Sequence, residues 1–154
     1  MSWGFPLIMK GKSGQALKPK PVNNARIDKL DGGFWRSSFH ARRCLIPMAG
    51  FCEAEGEKGA KTRTWFSLPG DDIFAVAGIW RDTAEWGPAY SMVMREACTY
   101  LSGVHDRMPV ILGQESWDDW LGGPPDAAQL LCRPYPAEMT VHRTSDPWVK
   151  RSGS

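Results

Sequence analysis

Between Phe34 and Arg43 the chain reads FWRSSFHARR, with apolar residues spaced as on one face of a helix, and a short helix is predicted there. CLIPMAGFCEAE follows, a strand-like run in which Gly50 marks a bend or bulge. TRTWFSL is bounded by the turn sequence PGDD, IFAVAGIW is nearly all apolar, and AYSMVM follows the turn-like EWGP. Three such strands joined by turns predict an antiparallel meander. EACTYLSGV predicts one or two helical turns ending at Gly103, and PVIL a short buried strand. SWDDWL predicts a helix with Ser116 as its N-cap and Asp118 and Asp119 in its first turn. Pro125 and Asp126 start another, whose apolar stripe is Ala127, Leu130 and Leu131. MTVHRT is a closing strand and VKRSGS a frayed tail. Near the N-terminus, KGKSGQALKPKP reads as an exposed loop that holds no regular element. The sum is an α+β fold, an antiparallel strand core with several short peripheral helices, forming one domain over residues 1–148 with a tail at 149–154.

Composition narrows the function classes. The 154 residues, 42% of them hydrophobic, suffice for one domain with a real core. A formal charge of +2 excludes a histone-like polycation but leaves room for a local basic face, and Lys10, Lys12, Lys18 and Lys20 cluster in the N-terminal loop. Eight tryptophans are many for this length; most serve as core or rim anchors, and some are candidates for stacking platforms. Cys44, Cys52, Cys98 and Cys132 form no C-x-x-C pair and no cluster with histidines, so reduced thiols are expected, with no metal and no cofactor. No apolar run is long enough for a signal peptide or a membrane span, and a soluble, cytoplasmic protein without a membrane partner is expected.

Candidate chemistry concentrates in three places. In GVHDRMPVIL, Pro109 disfavours helix at Met108, so the chain turns and aims His105 out of the scaffold, where an imidazole can shuttle protons. In GFCEAEG, strand alternation puts Phe51, Glu53 and Glu55 on one face, and a Glu53 carboxyl beside Phe51 is a candidate acid or base near neutrality. In NNAR, Asn24 can orient a nucleophile or carbonyl and Arg26 can grip a phosphate. Each motif taken alone also reads as ordinary turn, strand-end or surface chemistry.

The ordered blocks WGFPL, NNAR, RRCLIPMAGFCEAE, VAGIW, HDRMPVIL and W-x-x-WL, from Trp3 to about Leu121, closely resemble the SRAP family of SOS response-associated peptidases or abasic-site processing proteins. The resemblance implies a curved or barrel-like β-core with peripheral helices and a positive groove for single-stranded or abasic-site DNA. In that family an N-terminal cysteine, exposed by removal of the initiator Met, condenses through its amine with the ring-opened abasic aldehyde and closes a thiazolidine through its thiol. Such an aminothiol holds two nucleophiles at high effective concentration. By position the resemblance makes Asn24, Glu53 and His105 the catalytic residues. It makes Arg26 a backbone-binding arginine, with Trp3 and Arg107 further DNA contacts and Asp106 a supporting residue, while Arg95, which departs from the family pattern, is a candidate phosphate contact.

Two departures shape the expectation. The family's Met-Cys-Gly-Arg start is absent, and Met1 and Ser2 lead directly into Trp3 and Gly4. The expectation is therefore a short SRAP-like protein that recognises DNA without forming the thiazolidine crosslink. Cys52, which parity points away from Glu53, is a poor substitute nucleophile. Secondly, Met94 and Arg95 stand where the family carries small hydroxyl residues. Strand edges left open by a missing segment would invite a homodimer or a partner chain. The alternatives are a non-catalytic single-stranded DNA-binding module and a peptidase or other hydrolase.

Overall fold

The computed structural model describes residues 1–70, 73–99, 101 and 103–149. Its elements are β1 (Ser2–Trp3), β2 (Phe5–Leu7), β3 (Lys20–Val22), β4 (Asn24–Arg26), α1 (Arg36–Ala41), β5 (Arg43–Met48), β6 (Phe51–Glu55), β7 (Thr62–Ser67), β8 (Phe74–Thr83) and β9 (Gly87–Glu96). After these come β10 (Arg107–Pro109), β11 (Ile111–Leu112), α2 (Trp117–Gly122), α3 (Pro125–Leu131) and β12 (Thr140–Pro147). The fold is α+β.

A seven-stranded sheet forms the middle layer, centred on the antiparallel β8–β9 hairpin. Period-2 alternation gives each of its faces a separate core. Ala77, Ile79, Val93 and Val110 face the helices and meet Phe39, Trp120 and Ala128. Val76, Met108 and Ile111 face the other way and meet Phe51 and Phe66 of a three-stranded sheet, β12-β7-β6. Phe51 stacks on Phe66 with centroids 5.3 Å apart. A separate β2–β3 pair delivers the fully buried Phe5 to the helix-side core.

Segment 107–112 answers why a polar triplet adjoins a buried run. The open end of the β8–β9 hairpin splays, and this segment fills the fork. β10 runs down one arm, pairing Arg107 with Glu96 and Pro109 with Met94, and β11 runs back up the other, pairing Ile111 with Val76. Val110 sits at the crotch: its N–H donates to Val93 O at 2.9 Å and its carbonyl accepts from Ala77 N at 2.8 Å. The fork thus supplies both backbone partners of Val110, the apolar side chains lie below, and the charged residues are left at the rim.

Several expectations need correction. No meander forms, because β7 pairs with β6 and β12 whereas β8 pairs with β5 and β9; the three strands belong to two sheets. The large sheet is mixed rather than antiparallel, since β1 and β4 run parallel to β9. The lysine-rich N-terminal stretch contains a Lys10–Ala16 bridge and ends in β3, which begins at Lys20, so it is a closed hairpin more than a free loop. The stretch 96–104 holds turns rather than a helix among its described residues; Tyr100 and Ser102 lie outside them. Ser116 occupies the N-cap position of α2, but its side chain makes no capping hydrogen bond. Leu131 packs on the core as expected, but Leu130 does not join the stripe of α3: it is 77% exposed, and the buried Ala128 takes its place. Of the proposed tail, Val149 is exposed and residues 150–154 lie outside the described part.

Candidate functional site

The chain changes sheets between β5 and β6. Met48 still pairs with Phe74 in the large sheet, and Phe51 already pairs with Phe66 in the small one. At Gly50 an added Cβ would stand 2.8 Å from Phe66 O, so only glycine lets the crossing strand pass that carbonyl. The seam opens a groove of about 740 Å³. Ile46, Met48, Met92 and Met94 line it from the large sheet, Cys52 and Glu53 from β6. Asn24, Tyr90 and three tryptophans complete it. These are Trp3, Trp65 and Trp148, whose exposures of 52%, 39% and 38% are large for such side chains.

Glu53 is largely buried at this seam, and His105 arrives from the loop that precedes β10. The imidazole Nε2 lies 3.8 Å from Glu53 Oε2. Burial pushes the Glu53 carboxyl above the usual carboxylate range; His105 opposes the rise and Asp106 adds to it. His105 itself is held at its other nitrogen: Nδ1 is 2.9 Å from Arg107 O and 3.1 Å from Arg107 N. A protonated Nδ1 donates to the carbonyl and a bare one accepts from the amide, so the ring keeps an anchor through a change of tautomer. Asp106 Oδ1 is a further 3.6 Å neighbour of Nδ1. A carboxyl whose pKa is raised by burial, beside an anchored imidazole, has the donor and acceptor groups for proton transfer at a bound molecule.

Of the residues singled out in the sequence, Trp3, Asn24 and Glu53 line the groove and His105 abuts Glu53. The arginines do not join them. Arg26 is clamped by Asp28, with Nη2–Oδ2 at 2.6 Å and Nε–Oδ1 at 2.9 Å. That pairing raises its pKa and lowers that of Asp28. Arg95 turns its Nε to Glu96 O at 2.9 Å, and the Arg107 backbone serves His105. Among the described residues the groove lining contains no lysine and no arginine, but Arg63 acts on the Cys52 thiol and Arg26 on Asp106 from beside it. Cys52 does reach the lining, although strand parity sets it on the face opposite Glu53; burial pushes its thiol up, away from thiolate reactivity. The sequence reading missed Trp65 and Trp148. In TRTWFSL, Phe66 faces the core, so the same alternation puts Trp65 on the outer face, a signal that was available. A second depression, about 910 Å³ and lined by Lys61, Pro147 and Val149 among others, shares Trp148 with the groove but lies away from the Glu53–His105 pair. No group of histidine, cysteine, aspartate and glutamate side chains among the described residues could hold a metal ion, and no described helix is long and apolar enough to cross a membrane.

The sequence profile of the family described as SOS response associated peptidase (SRAP) matches residues 1–150. The chain is 32% identical over 155 aligned positions to the abasic site processing protein YoqW of Bacillus subtilis, covering 94% of this chain and 68% of the relative. A crystallised protein from Bordetella bronchiseptica superposes with a TM-score of 0.74 at 24% identity, covering 81% of this chain and 66% of that one. One from Bacteroides thetaiotaomicron superposes with a TM-score of 0.70 at 25% identity, covering 78% and 57%. The chain thus spans just over two thirds of the curated relative and less than two thirds of either crystallised protein. With a family profile matched along almost its whole length and a shared mixed-sheet fold, the chain belongs to the SRAP family.

Proposed function

We propose that the groove binds single-stranded DNA carrying an abasic site, and that Glu53 and His105 move protons at the exposed sugar. Family membership and the printed name of YoqW support the substrate class. The observation that carries the chemistry is the 3.8 Å approach of His105 Nε2 to a Glu53 carboxyl whose pKa is raised by burial.

An abasic deoxyribose rests mainly as a cyclic hemiacetal. Opening it breaks the C1′–O4′ bond, delivers one proton to O4′ and removes one from the C1′ hydroxyl, leaving the aldehyde. A protonated Glu53 supplies the first proton and neutral His105 takes the second, so the count balances and the proton returns from His105 to Glu53 afterwards. Asn24, exposed on β4 in the lining, is placed to orient the opened chain through its amide. The proposal covers what Asn24, Glu53 and His105 can do at the groove, binding and ring opening.

The test is capture of the aldehyde by an aminooxy dye on an abasic single-stranded oligonucleotide, with and without the protein. General acid–base assistance contributes roughly 10²–10⁴-fold, so Glu53→Gln and His105→Ala should each remove most of any acceleration while leaving oligonucleotide binding within about threefold. Acceleration that survives both substitutions, or no binding by the unaltered chain, refutes the proposal.

A further inference from the structure

We infer that two copies of this chain associate, the basic and apolar β2–β3 hairpin of one seating on the acidic faces of α2 and α3 in the other.

The hairpin carries the first patch. Between Phe5 and Val22 the sequence has four lysines, Lys10, Lys12, Lys18 and Lys20, and no carboxylate. All four are exposed, and none makes an ion pair among the described residues. Leu7, Ile8, Met9 and Leu17 stand among them, each at least 36% exposed. The backbone holds them in place: Leu17 N–H donates to Met9 O and Gly11 N–H to Gln15 O, both at 2.8 Å, and Lys20 pairs with Leu7 across the strands. Phosphate contacts alone would use the lysines and leave four exposed apolar side chains unexplained. A complementary protein surface uses both.

The helices carry the second. From Gly113 to Cys132 the sequence has four carboxylates, Glu115, Asp118, Asp119 and Asp126, and no lysine or arginine. All four are exposed without an ion pair among the described residues. Leu121 and Leu130, 45% and 77% exposed, lie on the same two packed helices. Each patch offers what the other lacks, charges of opposite sign set around apolar side chains that are open to water.

Topology keeps the two apart within one molecule. β1 and β4, which flank the hairpin in the chain, pair with β9 at one edge of the large sheet. α2 is tied to β5 at the other edge, where Trp120 Nε1–H donates to Cys44 O at 2.9 Å. The complementary faces therefore meet between copies and not within one. A formal charge of +2 adds little overall repulsion to oppose this. No residue of either patch lines the seam groove.

The test is sedimentation velocity of the full 154-residue chain from about 10 to about 500 µM, in 0.1 M and 1 M salt, where the Debye length is about 10 and about 3 Å. At the lower salt the weight-average mass should climb above 17.2 kDa with concentration, and at the higher salt the association should weaken at least about tenfold. Lys12→Glu with Lys18→Glu on the hairpin, and Asp118→Lys with Asp126→Lys on the helices, should each abolish self-association. Leu130→Ser, at a side chain already exposed, should weaken it, and thermal melts check that every variant folds. Equal amounts of the two charge-reversed variants should associate with each other, because the reversed hairpin of one then faces the reversed helices of the other. A chain that stays at 17.2 kDa throughout, association indifferent to salt or to either pair of reversals, or reversed variants that stay apart when mixed would overturn the inference. A monomer that instead binds a fluorescent DNA duplex, and loses it on Lys12→Glu with Lys18→Glu, overturns it too and makes the hairpin a nucleic-acid arm.

Discussion

Arg43 offers a test of what holds the helices to the sheet. It opens β5 and is buried, with no carboxylate beside it, and burial alone pulls its pKa below the ordinary arginine value. Its Nη1 donates to Phe39 O at 2.7 Å, and its Nε and Nη2 donate to Trp120 O and Gly123 O. Phe39 and Trp120 belong to the last turns of α1 and α2, where helix geometry leaves carbonyls without a donor. One guanidinium therefore serves these three carbonyls, with His40 O a longer fourth at 3.4 Å, and ties both helix ends to the first residue of β5. Arg43→Met keeps much of the apolar stem and sets two effects against each other. Relief of a buried charge stabilises; three backbone carbonyls losing their donor destabilise, at about 1–3 kcal/mol each. The carbonyls cannot be removed by mutation, and the rings of Phe39 and Trp120, both with centroids 5.8 Å from the guanidinium carbon, restrict water from replacing the donor. The second effect should win, with a net loss of about 2–4 kcal/mol. At roughly 2–4 °C per kcal/mol for a chain of this size, the melting temperature should fall by about 5–15 °C. Urea unfolding measures the change directly, and Arg43→Lys should lie in between because one ammonium cannot match three acceptors held in a fork. An Arg43→Met variant as stable as the unaltered chain, or more so, would show that desolvation of the charge dominates and refute the reasoning.

Glu53→Gln should stabilise the fold at neutral pH. The folded-state pKa of Glu53 is raised, so the folded chain holds its proton where the unfolded chain has lost it, and stability falls as pH rises from about 4.3 through the folded value. The gain in melting temperature should be near zero at pH 4 and grow as pH rises; a Gln variant less stable than the unaltered chain at pH 7.5 contradicts this sign. Gly4→Ala meets both a positive φ of 103° and Pro21 Cβ 2.7 Å from the added methyl, next to the Gly4 N–H bond to Tyr90 O. A loss of about 1–3 kcal/mol is expected, and a denaturant midpoint unmoved by the change would show that the turn has room to relax.

Local signals made the elements legible but left their partners open. The alternation in CLIPMAGFCEAE marks strand on both sides of Gly50, yet nothing within those residues says that the two halves enter different sheets; that follows from long-range pairing with β8 and β7. The meander failed for the same reason, since turn chemistry between β7 and β8 is compatible with either a hairpin or a crossing. Leu130 was misplaced because a seven-residue helix offers too little periodicity to fix its phase, and the buried Ala128 has too small a side chain to stand out. At the site, the convergence of Glu53 and His105, 52 positions apart in the chain, came from resemblance and is present in the geometry. The pairing of Arg26 with Asp28, two residues away, was not legible in a count of arginines.

The seam explains how Glu53 is at once partly dry and open to a ligand. A carboxylate in the middle of either sheet would have been enclosed, and one on an outer face would have been solvated. Glu53 lies where β6 leaves the large sheet's neighbourhood for the small one, so it is dry enough for its pKa to rise and open enough for a ligand to reach it. His105 can meet it there only because the wedge of residues 107–112 is driven into the β8–β9 fork, which fixes where the preceding loop must stand. The buried half of HDRMPVIL thus positions its polar half, and the apolar run and the ionisable triplet are one device.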